Sequence, residues 1–257
     1  NCHNKDNCIY YKLYEIETDS TSKYFKGQPI PKPYLIIFDR IKNIYEQDDK
    51  ISFQIIIIGK IIEYLPLLII GIVGMEALHF GRSGKIKINS IKMKNEKEEN
   101  IWYKSPTVFN NTLNPLILDF KIPETDMIKI NFITPFIIHY QDKYITSDEL
   151  TPYILIRKLV KRITSLNYFY GEEKKSFNID ELLKLSNNIQ IERNDLKKIV
   201  WSRYSLKLEE KQDFSGYLGE IEIKGKIEPL YKLIKLGEIL GIGKMTTFGF
   251  GQYIIKE

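Results

Sequence analysis

The hydrophobic pattern of the chain changes repeatedly between strand-like and helix-like periods. Residues 51–62 are rich in β-branched side chains and predict a buried strand, and residues 63–78 form an apolar run that predicts a helix. A glycine-rich turn follows, and residues 85–93 then alternate lysine and asparagine with isoleucine, as a half-exposed strand does. The first half therefore predicts a strand, a helix, a glycine turn and a strand.

The second half repeats this order and extends it. Residues 127–140 predict a strand, and residues 151–170 predict a helix with apolar side chains on one face. Residues 216–224 and 246–255 predict two more strands. Between them, residues 229–241 predict a helix with proline at its start and glycine at its end. We interpret this half as a β-α-β-β-α-β order, the split βαβ or ferredoxin-like arrangement, of which these segments supply both helices and three of the four strands.

The repeated order predicts two α+β domains in tandem. We expect an N-terminal ferredoxin-like (RRM-like) domain over residues 1–114 and a C-terminal one over residues 115–257, with the polar residues 94–114 as the link. The first half shows only the closing β-α-β, and the chain begins at Asn1 without a methionine. We therefore expect the opening strand and helix of the N-terminal domain to be missing. Residues 171–188 predict an insertion with one short helix.

Composition narrows the possible partners without selecting one. The 257 residues are 43% hydrophobic and 28% charged, which is ordinary for a globular protein. Lysine and arginine number 38 against 33 acidic residues, so the net charge of +5 permits a polyanionic partner but does not require one. The most apolar stretch, residues 53–75, is interrupted by Lys60 and Glu63, which argues against a membrane span. We expect no membrane partner and a cytoplasmic location.

The two cysteines, Cys2 and Cys8, both lie at the N-terminal end of the chain. A disulfide between them would close a very short loop and constrain little of the chain. A thiol pair in such a lysine-rich chain is more often reduced or metal-bound, and two thiolates supply at most part of a tetrahedral zinc site. The sequence leaves both a partial structural zinc site and two free thiols open.

A glycine-rich loop near the C-terminal end carries the most specific chemistry. Its spacing matches neither a Walker A loop nor a dinucleotide-binding turn. Gly241 and Gly243 can adopt positive φ angles and bring backbone N–H groups close to an anion. Lys244 adds a flexible positive charge, and Thr246 and Thr247 add hydroxyl groups. These five residues predict an anion-binding loop.

The remainder of this loop, which spans residues 241–251, coincides with the start of the last predicted strand. In such a strand Gly249 and Gly251 lie on one face, and Phe248 and Phe250 lie on the other. Two bare glycines on one face leave the backbone open to a ligand or to close packing by a helix. The sequence leaves both interpretations open.

The predicted helix over residues 151–170 carries four basic side chains. At a spacing of four residues, Arg157 lies beside Lys161 and Lys158 lies beside Arg162. This arrangement predicts either a cationic ridge that contacts a polyanion or an ordinary solvated face.

Two further arginines are candidates for nucleic-acid contact. Arg203 closely follows Trp201, a side chain that can stack on a base. The alternative is an exposed strand arginine beside a tryptophan in the core. Arg82 lies in the glycine-rich turn of the first half, which corresponds to the loop over residues 241–251.

Residues 236–253, LGEILGIGKMTTFGFGQY, resemble the C-terminal glycine-rich loop of the RAMP superfamily. The closest similarity is to Cas6, the CRISPR-associated endoribonuclease family that processes precursor CRISPR RNA. The resemblance continues in order along nearly the whole chain, through residues 8–14, Thr134-Pro135, residues 157–166, Arg203 with Ser205, residues 216–219, Gly225 and residues 228–230. It departs from the family at residues 136–140, where basic side chains often follow the Thr-Pro pair.

The resemblance implies a fold, a substrate and a reaction. It implies two tandem ferredoxin-like domains that bind a CRISPR repeat RNA and cleave it once without a metal ion. A ribose 2′-OH attacks the adjacent phosphate and leaves a 2′,3′-cyclic phosphate and a 5′-OH. A general base, usually histidine, removes the proton, and lysine or arginine offsets the charge that develops on the phosphorane. Other CRISPR effector or adaptation proteins are further expected partners.

The chain has three histidines, of which His3 and His79 are candidates for the base. His3 lies near the region where the family usually places it, although His3 also adjoins Cys2. His79 precedes the glycine-rich turn of the first half and is a weaker candidate. His139 follows an apolar strand, which is typical of a structural residue.

Two other functions compete with the endoribonuclease. The first is a non-catalytic RNA-binding RAMP subunit of a CRISPR effector complex or of a fusion protein, which would bind RNA without cleaving it. The second is a paired ferredoxin-like scaffold that binds protein and no nucleic acid. Net charge alone does not separate them.

Overall fold

The computed structural model describes residues 8–15, 30–39, 42, 44–79, 84–94, 99–104, 118–172, 178–205 and 210–256. Four parts of the sequence predictions lie outside these ranges: Cys2, His3, Arg82 and most of the link over residues 94–114. The boundary between residues 114 and 115 therefore stays a prediction.

The described part of the N-terminal half contains two antiparallel strand pairs and one apolar helix. Strands β1 (Tyr34–Phe38) and β2 (Phe53–Ile57) form one pair, and β3 (Ser90–Lys94) and β4 (Glu99–Lys104) form the other. Helix α1 (Leu65–Gly74) lies between two 3-10 segments, Gly59–Tyr64 and Met75–Ala77. A π-helical segment, Tyr11–Glu15, precedes these elements.

The C-terminal half contains more elements, arranged around one larger sheet. Its strands are β5 (Met127–Phe136), β6 (His139–Tyr140), β7 (Lys143–Tyr144), β8 (Ile189–Asn194), β9 (Lys197–Ile199), β10 (Ser202–Ser205), β11 (Glu210–Asp213), β12 (Gly216–Gly225) and β13 (Tyr253–Lys256). Its helices are α2 (Pro152–Tyr170), α3 (Ile179–Leu185) and α4 (Glu228–Leu240), with 3-10 segments Ser186–Asn188 and Thr246–Phe248. The short helix predicted within residues 171–188 is α3.

The main sheet has the strand order β13-β5-β12-β8, and β9 extends the pairing along β12. All of these pairings are antiparallel. With α2 after β5 and α4 after β12, this is the β-α-β-β-α-β arrangement that the sequence predicts. The α+β fold class is therefore confirmed.

The core of this domain lies between the sheet and helices α2 and α4. Alternate residues of the two central strands point into it, Ile128 and Ile130 from β5 and Ile221 and Ile223 from β12. The helices contribute their apolar faces, with Leu155, Leu159, Leu230 and Ile234. Thr151 caps α2 by accepting a hydrogen bond from the backbone N–H of Ile154 at 3.2 Å.

A second buried cluster joins the two halves of the chain. Leu13 and Ile61 from the N-terminal half pack with Ile163, Leu166 and Tyr170 on the last turns of α2. The hydroxyl of Tyr170 also donates to the carbonyl oxygen of Pro31 at 2.9 Å. Burial raises the pKa of this phenol well above its usual value, so Tyr170 stays a neutral hydrogen-bond donor.

Three strand predictions need correction. The last strand does not begin at residue 246 but at Tyr253, because Met245, Gly249 and Gly251 have φ angles of 60°, 81° and 66°. These left-handed conformations turn the backbone, so the predicted alternation of Phe248 and Phe250 against the two glycines is wrong.

The other two corrections fall in the N-terminal half. Strand β2 ends at Ile57, before the left-handed Gly59 (φ 65°), and residues 59–64 are a 3-10 helix instead of the continued strand. Strand β3 begins at Ser90, so the alternating residues 85–89 before it are not in a strand.

Candidate nucleic-acid interface

The glycine-rich loop is folded back against the end of β5. Gly241 ends α4 with a φ of 66°, and its N–H donates to the carbonyl of Gly237 at 2.8 Å. The N–H groups of Gly251 and Lys244 donate to the carbonyls of Pro135 and Ile137 at 2.9 and 3.2 Å. These N–H groups therefore hold the loop in place and are already used within the protein.

The loop glycines allow close backbone packing. A Cβ atom at Gly251 would lie 1.8 Å from the carbonyl oxygen of Ile242, and one at Gly243 would lie 2.6 Å from that of Ile137. A Cβ atom at Gly249 would lie 2.5 Å from the carbonyl oxygen of Ile36 in β1. Of the two interpretations that the sequence leaves open, close packing describes these glycines, with backbone carbonyl groups of β1, of the segment after β5 and of the loop itself as the neighbours instead of a helix. Their contact with a ligand stays a prediction.

The tip of the loop faces outward. Lys244 is exposed, and its Nζ lies 5.1 Å from the centre of the Tyr144 ring. Thr247 is half-buried, whereas Thr246 is buried. The charged side chain that the loop offers to a polyanion is therefore Lys244, and Thr247 follows three residues later in the chain.

Helix α2 presents three basic side chains beside this tip. Arg157 and Lys161 are exposed, and Lys158 is half-buried. Burial lowers the pKa of Lys158, and the positive charges of Lys161, Arg157 and Lys244 lower that pKa further. The loop and the helix thus place like charges within electrostatic reach of one another, although they are far apart in the sequence.

Arg162 does not belong to the predicted cationic ridge. Its Nε donates to the carbonyl oxygen of Leu240 at 2.7 Å, and burial lowers the pKa of its guanidinium to about 10. Arg162 therefore links α2 to the C-terminal end of α4, where it supports the loop from inside.

His139 is the candidate that sequence reasoning missed. It is half-buried in β6, with its ring edge-on to Tyr144 at a centroid distance of 5.1 Å. Burial lowers the pKa of His139, as do the charges of Lys244, Lys158 and, less strongly, Lys161, whereas Asp142 raises it. The imidazole is therefore mainly neutral at pH 7.

These residues form one contiguous patch, which we call the α2–loop surface. It consists of His139, Tyr144, Arg157, Lys158, Lys161 and Lys244. The sequence predicted three of the six as RNA-binding residues, namely Arg157, Lys161 and Lys244. Lys158 was also placed on the predicted cationic ridge, whereas His139 and Tyr144 could have been found only from the pairing of β6 with β7 and from the packing of the loop.

The remaining candidates have different surroundings. Trp201 stacks on Phe250 of the loop, with ring centres 5.4 Å apart and planes inclined by 12°, and it is 45% exposed. Trp201 is thus not a core residue, and its stacking on a base stays a prediction. Arg203 lies on β10. His79 is exposed and closely follows the 3-10 segment Met75–Ala77.

No metal site is found in the part of the chain that the structure describes. Cys8 is half-buried, and the described residues contain no group of three or more histidine, cysteine or acidic side chains that could hold an ion. Within the same ranges, no helix has the length and the apolar character needed to cross a membrane.

An antiparallel ferredoxin-like domain with a cationic face defines a class of proteins in which nucleic-acid binding is common. Comparison with known families is more specific. Residues 130–253 match the family model of the CRISPR-associated endoribonuclease Cas6, and residues 1–114 match a second model described as an N-terminal domain. The chain carries a Cas6-family domain, and the resemblance found in the sequence is confirmed.

Solved structures agree with this assignment at the level of the fold. A product complex of a Thermus thermophilus Cas6 is 13% identical with a TM-score of 0.52, over 88% of this chain and 82% of that one. A Cas6 substrate-mimic complex is 12% identical with a TM-score of 0.52, over 88% and 86% of the two chains. Another T. thermophilus Cas6 structure (17% identity, TM-score 0.39) aligns over 52% of this chain and 55% of its own length. No curated protein matches the chain.

Proposed function

We propose that the chain binds CRISPR repeat RNA on the α2–loop surface and acts as an endoribonuclease that processes precursor CRISPR RNA. The observation that carries this proposal is the Cas6 family match over residues 130–253, because that region contains the whole surface. Its exposed cations come from a loop and a helix that the fold holds together. Phosphate contacts of this kind give an affinity that falls with salt.

The proposed reaction needs no metal ion. A ribose 2′-OH attacks the adjacent phosphorus, and the 5′-oxygen of the next nucleotide leaves, which yields a 2′,3′-cyclic phosphate and a 5′-OH. The net proton passes from the attacking hydroxyl to the leaving oxygen. His3 and His79 are the proposed bases, and Lys244 or a neighbouring cation offsets the negative charge of the phosphorane.

A structural zinc ion and protein partners are separate proposals. Cys2 and Cys8 would supply two thiolates, which do not complete a tetrahedral site, and the described residues contain no group of three or more side chains that could hold an ion. No step of the reaction is therefore assigned to zinc. Other CRISPR effector or adaptation proteins are the protein partners that the family relationship suggests.

The test is a cleavage assay with the full chain and its cognate repeat RNA in EDTA. We expect one cut, with a 2′,3′-cyclic phosphate on the upstream fragment, and no cut when the attacking 2′-OH is replaced by hydrogen. Intact RNA that is nevertheless bound would support the non-catalytic RAMP subunit instead. A protein that retains no RNA on a filter at low salt would contradict both.

Lys244 offers a sharper test of the binding surface. Replacing it with alanine removes one phosphate contact from an exposed side chain, so we expect the affinity for repeat RNA to fall about fivefold at 0.1 M salt and the salt slope to decrease by about one. A matched control is Lys224→Ala. Lys224 is also an exposed lysine, but it pairs with Met127 at the far end of β5, about 30 Å from Phe136. Equal losses in both variants would contradict the proposed surface.

A further inference from the structure

The β6–β7 hairpin fixes two aromatic rings at the edge of the α2–loop surface. His139 and Tyr144 are directly paired across the two strands, and Gln141 and Asp142 make the turn with φ angles of 48° and 59°. Two consecutive left-handed residues form the tight type of hairpin turn that matches strand twist. The rings are therefore held edge to face at 5.1 Å, and Tyr144 is 70% exposed.

The glycine-rich loop brings a positive charge to the same point. The backbone N–H of Lys244 is bonded to Ile137, two residues before His139, and its Nζ lies 5.1 Å from the Tyr144 ring centre. Lys158 approaches from α2 closely enough for its charge to lower the pKa of His139, and the charge of Lys244 in turn lowers the pKa of Lys158. One exposed aromatic ring thus lies beside an imidazole and the ammonium group of Lys244, and Lys158 lies within electrostatic reach of both of these groups.

We propose that this hairpin, together with Lys244 and Lys158, is a binding site for one unpaired nucleotide of the RNA, with its base against Tyr144 and its phosphate against His139 and the two lysines. The inference rests on the proposed function and adds to it the part of the substrate that this site takes. The base must be unpaired, because a base within a helix does not expose its face to a side chain.

This geometry makes phosphate binding dependent on the protonation of His139. In the free protein, burial and the nearby charges of Lys244, Lys158 and Lys161 keep the imidazole neutral at pH 7, and Asp142 only partly opposes them. A bound phosphate adds negative charge at that place and so raises the pKa of His139. The complex therefore takes up a proton, and affinity rises as pH falls through the interval between the free and bound pKa values.

The first test measures affinity between pH 6.0 and 7.5 at constant ionic strength, with repeat RNA that carries a 5′-OH and a non-cleavable 2′-deoxy position. We expect wild-type affinity to rise about fivefold from pH 7.5 to 6.0, within the limit of tenfold per pH unit for one proton. His139→Gln loses the rise, so we expect its affinities at pH 6.0 and pH 7.5 to agree within twofold. His139→Lys, permanently charged, binds at pH 7.5 as tightly as the wild type does at pH 6.0.

The second test separates stacking from charge. Tyr144→Phe keeps an aromatic face, so we expect its affinity to stay within twofold of wild type, whereas Tyr144→Leu loses about tenfold. A His139→Gln protein that keeps the pH dependence, or equal affinities for the Tyr144→Phe and Tyr144→Leu proteins, would overturn the nucleotide site alone. A wild-type protein that binds no repeat RNA would overturn the proposed function and this inference with it.

Discussion

Helices α1 and α4 occupy corresponding places in the two halves of the chain, yet the structure uses them differently. Each follows a strand, and each was predicted to precede a glycine-rich turn. Helix α4 has a mixed composition but buries one complete face, including Leu230, Ile234 and Leu240. Helix α1 is almost entirely apolar, but Leu67 and Ile70 are 51% and 59% exposed. Apolar content therefore does not by itself decide burial.

The difference lies in what each helix packs against. Helix α4 lies on a sheet of four main strands and also touches α2. In the described ranges of the N-terminal half, the strands form two separate pairs, and Ile69 is the fully buried side chain of α1. A helix gains most from burial where a continuous sheet meets its whole apolar stripe.

The largest expected change in the free energy of unfolding lies in the glycine-rich loop that follows α4. Gly251 has a φ of 66°, and a Cβ atom there would lie 1.8 Å from the carbonyl oxygen of Ile242. Gly251→Ala must therefore move backbone away from backbone, and we expect it to lower the free energy of unfolding by about 3 kcal/mol or more. Urea denaturation followed by circular dichroism measures this loss. A change below about 1 kcal/mol would show that the loop is less tightly packed than the C-terminal core.

The helix interiors give the second test, at Gly237 of α4. A Cβ atom there would lie 2.2 Å from Cδ2 of Leu159 and 2.3 Å from the hydroxyl oxygen of Tyr253. That hydroxyl donates to the carbonyl of Ile234, so the crowding also disturbs a buried hydrogen bond. We expect Gly237→Ala to cost about 2 kcal/mol, even though alanine is the better helix former. A more stable variant would mean that α4 does not approach α2 and β13 this closely.

Much of the C-terminal fold could be predicted because its signals are local. Pro229 and Gly241 bracket α4, and the alternation along β5 and β12 selects the residues that face the core. The start of β13 could not be predicted in this way. Met245 adopts a left-handed conformation that no pattern marks in a residue with a side chain, and the close approach of Ile242 to Gly251 depends on tertiary packing.

In the candidate site, too, the residues with local signals could be predicted from the sequence, and those that depend on tertiary packing could not. Lys244, Arg157 and Lys161 were found because clustered charge is visible in a sequence. His139 was assigned a structural role because its immediate neighbours are apolar. Its depressed pKa comes from burial and from Lys244 and Lys158, which reach it only through the fold. The structure also shows that Arg162 is not part of the predicted ridge, because its guanidinium points inward and donates to the carbonyl of Leu240.

The smallest expected change in the free energy of unfolding is an increase, and it concerns a glycine of α1. Gly71 lies within that helix on an exposed face, and a Cβ atom there would meet no heavy atom within 4 Å. Gly71→Ala therefore gains the better helix propensity of alanine without a steric cost. We expect it to raise the free energy of unfolding by about 0.5–1 kcal/mol. The measurement is thermal unfolding of the Gly71→Ala and Gly237→Ala proteins. They form a matched pair, because the same substitution lies inside each of the two corresponding helices. If Gly71→Ala instead destabilises the protein by as much as Gly237→Ala does, α1 is packed as closely as α4 in solution, and the contrast between the halves fails.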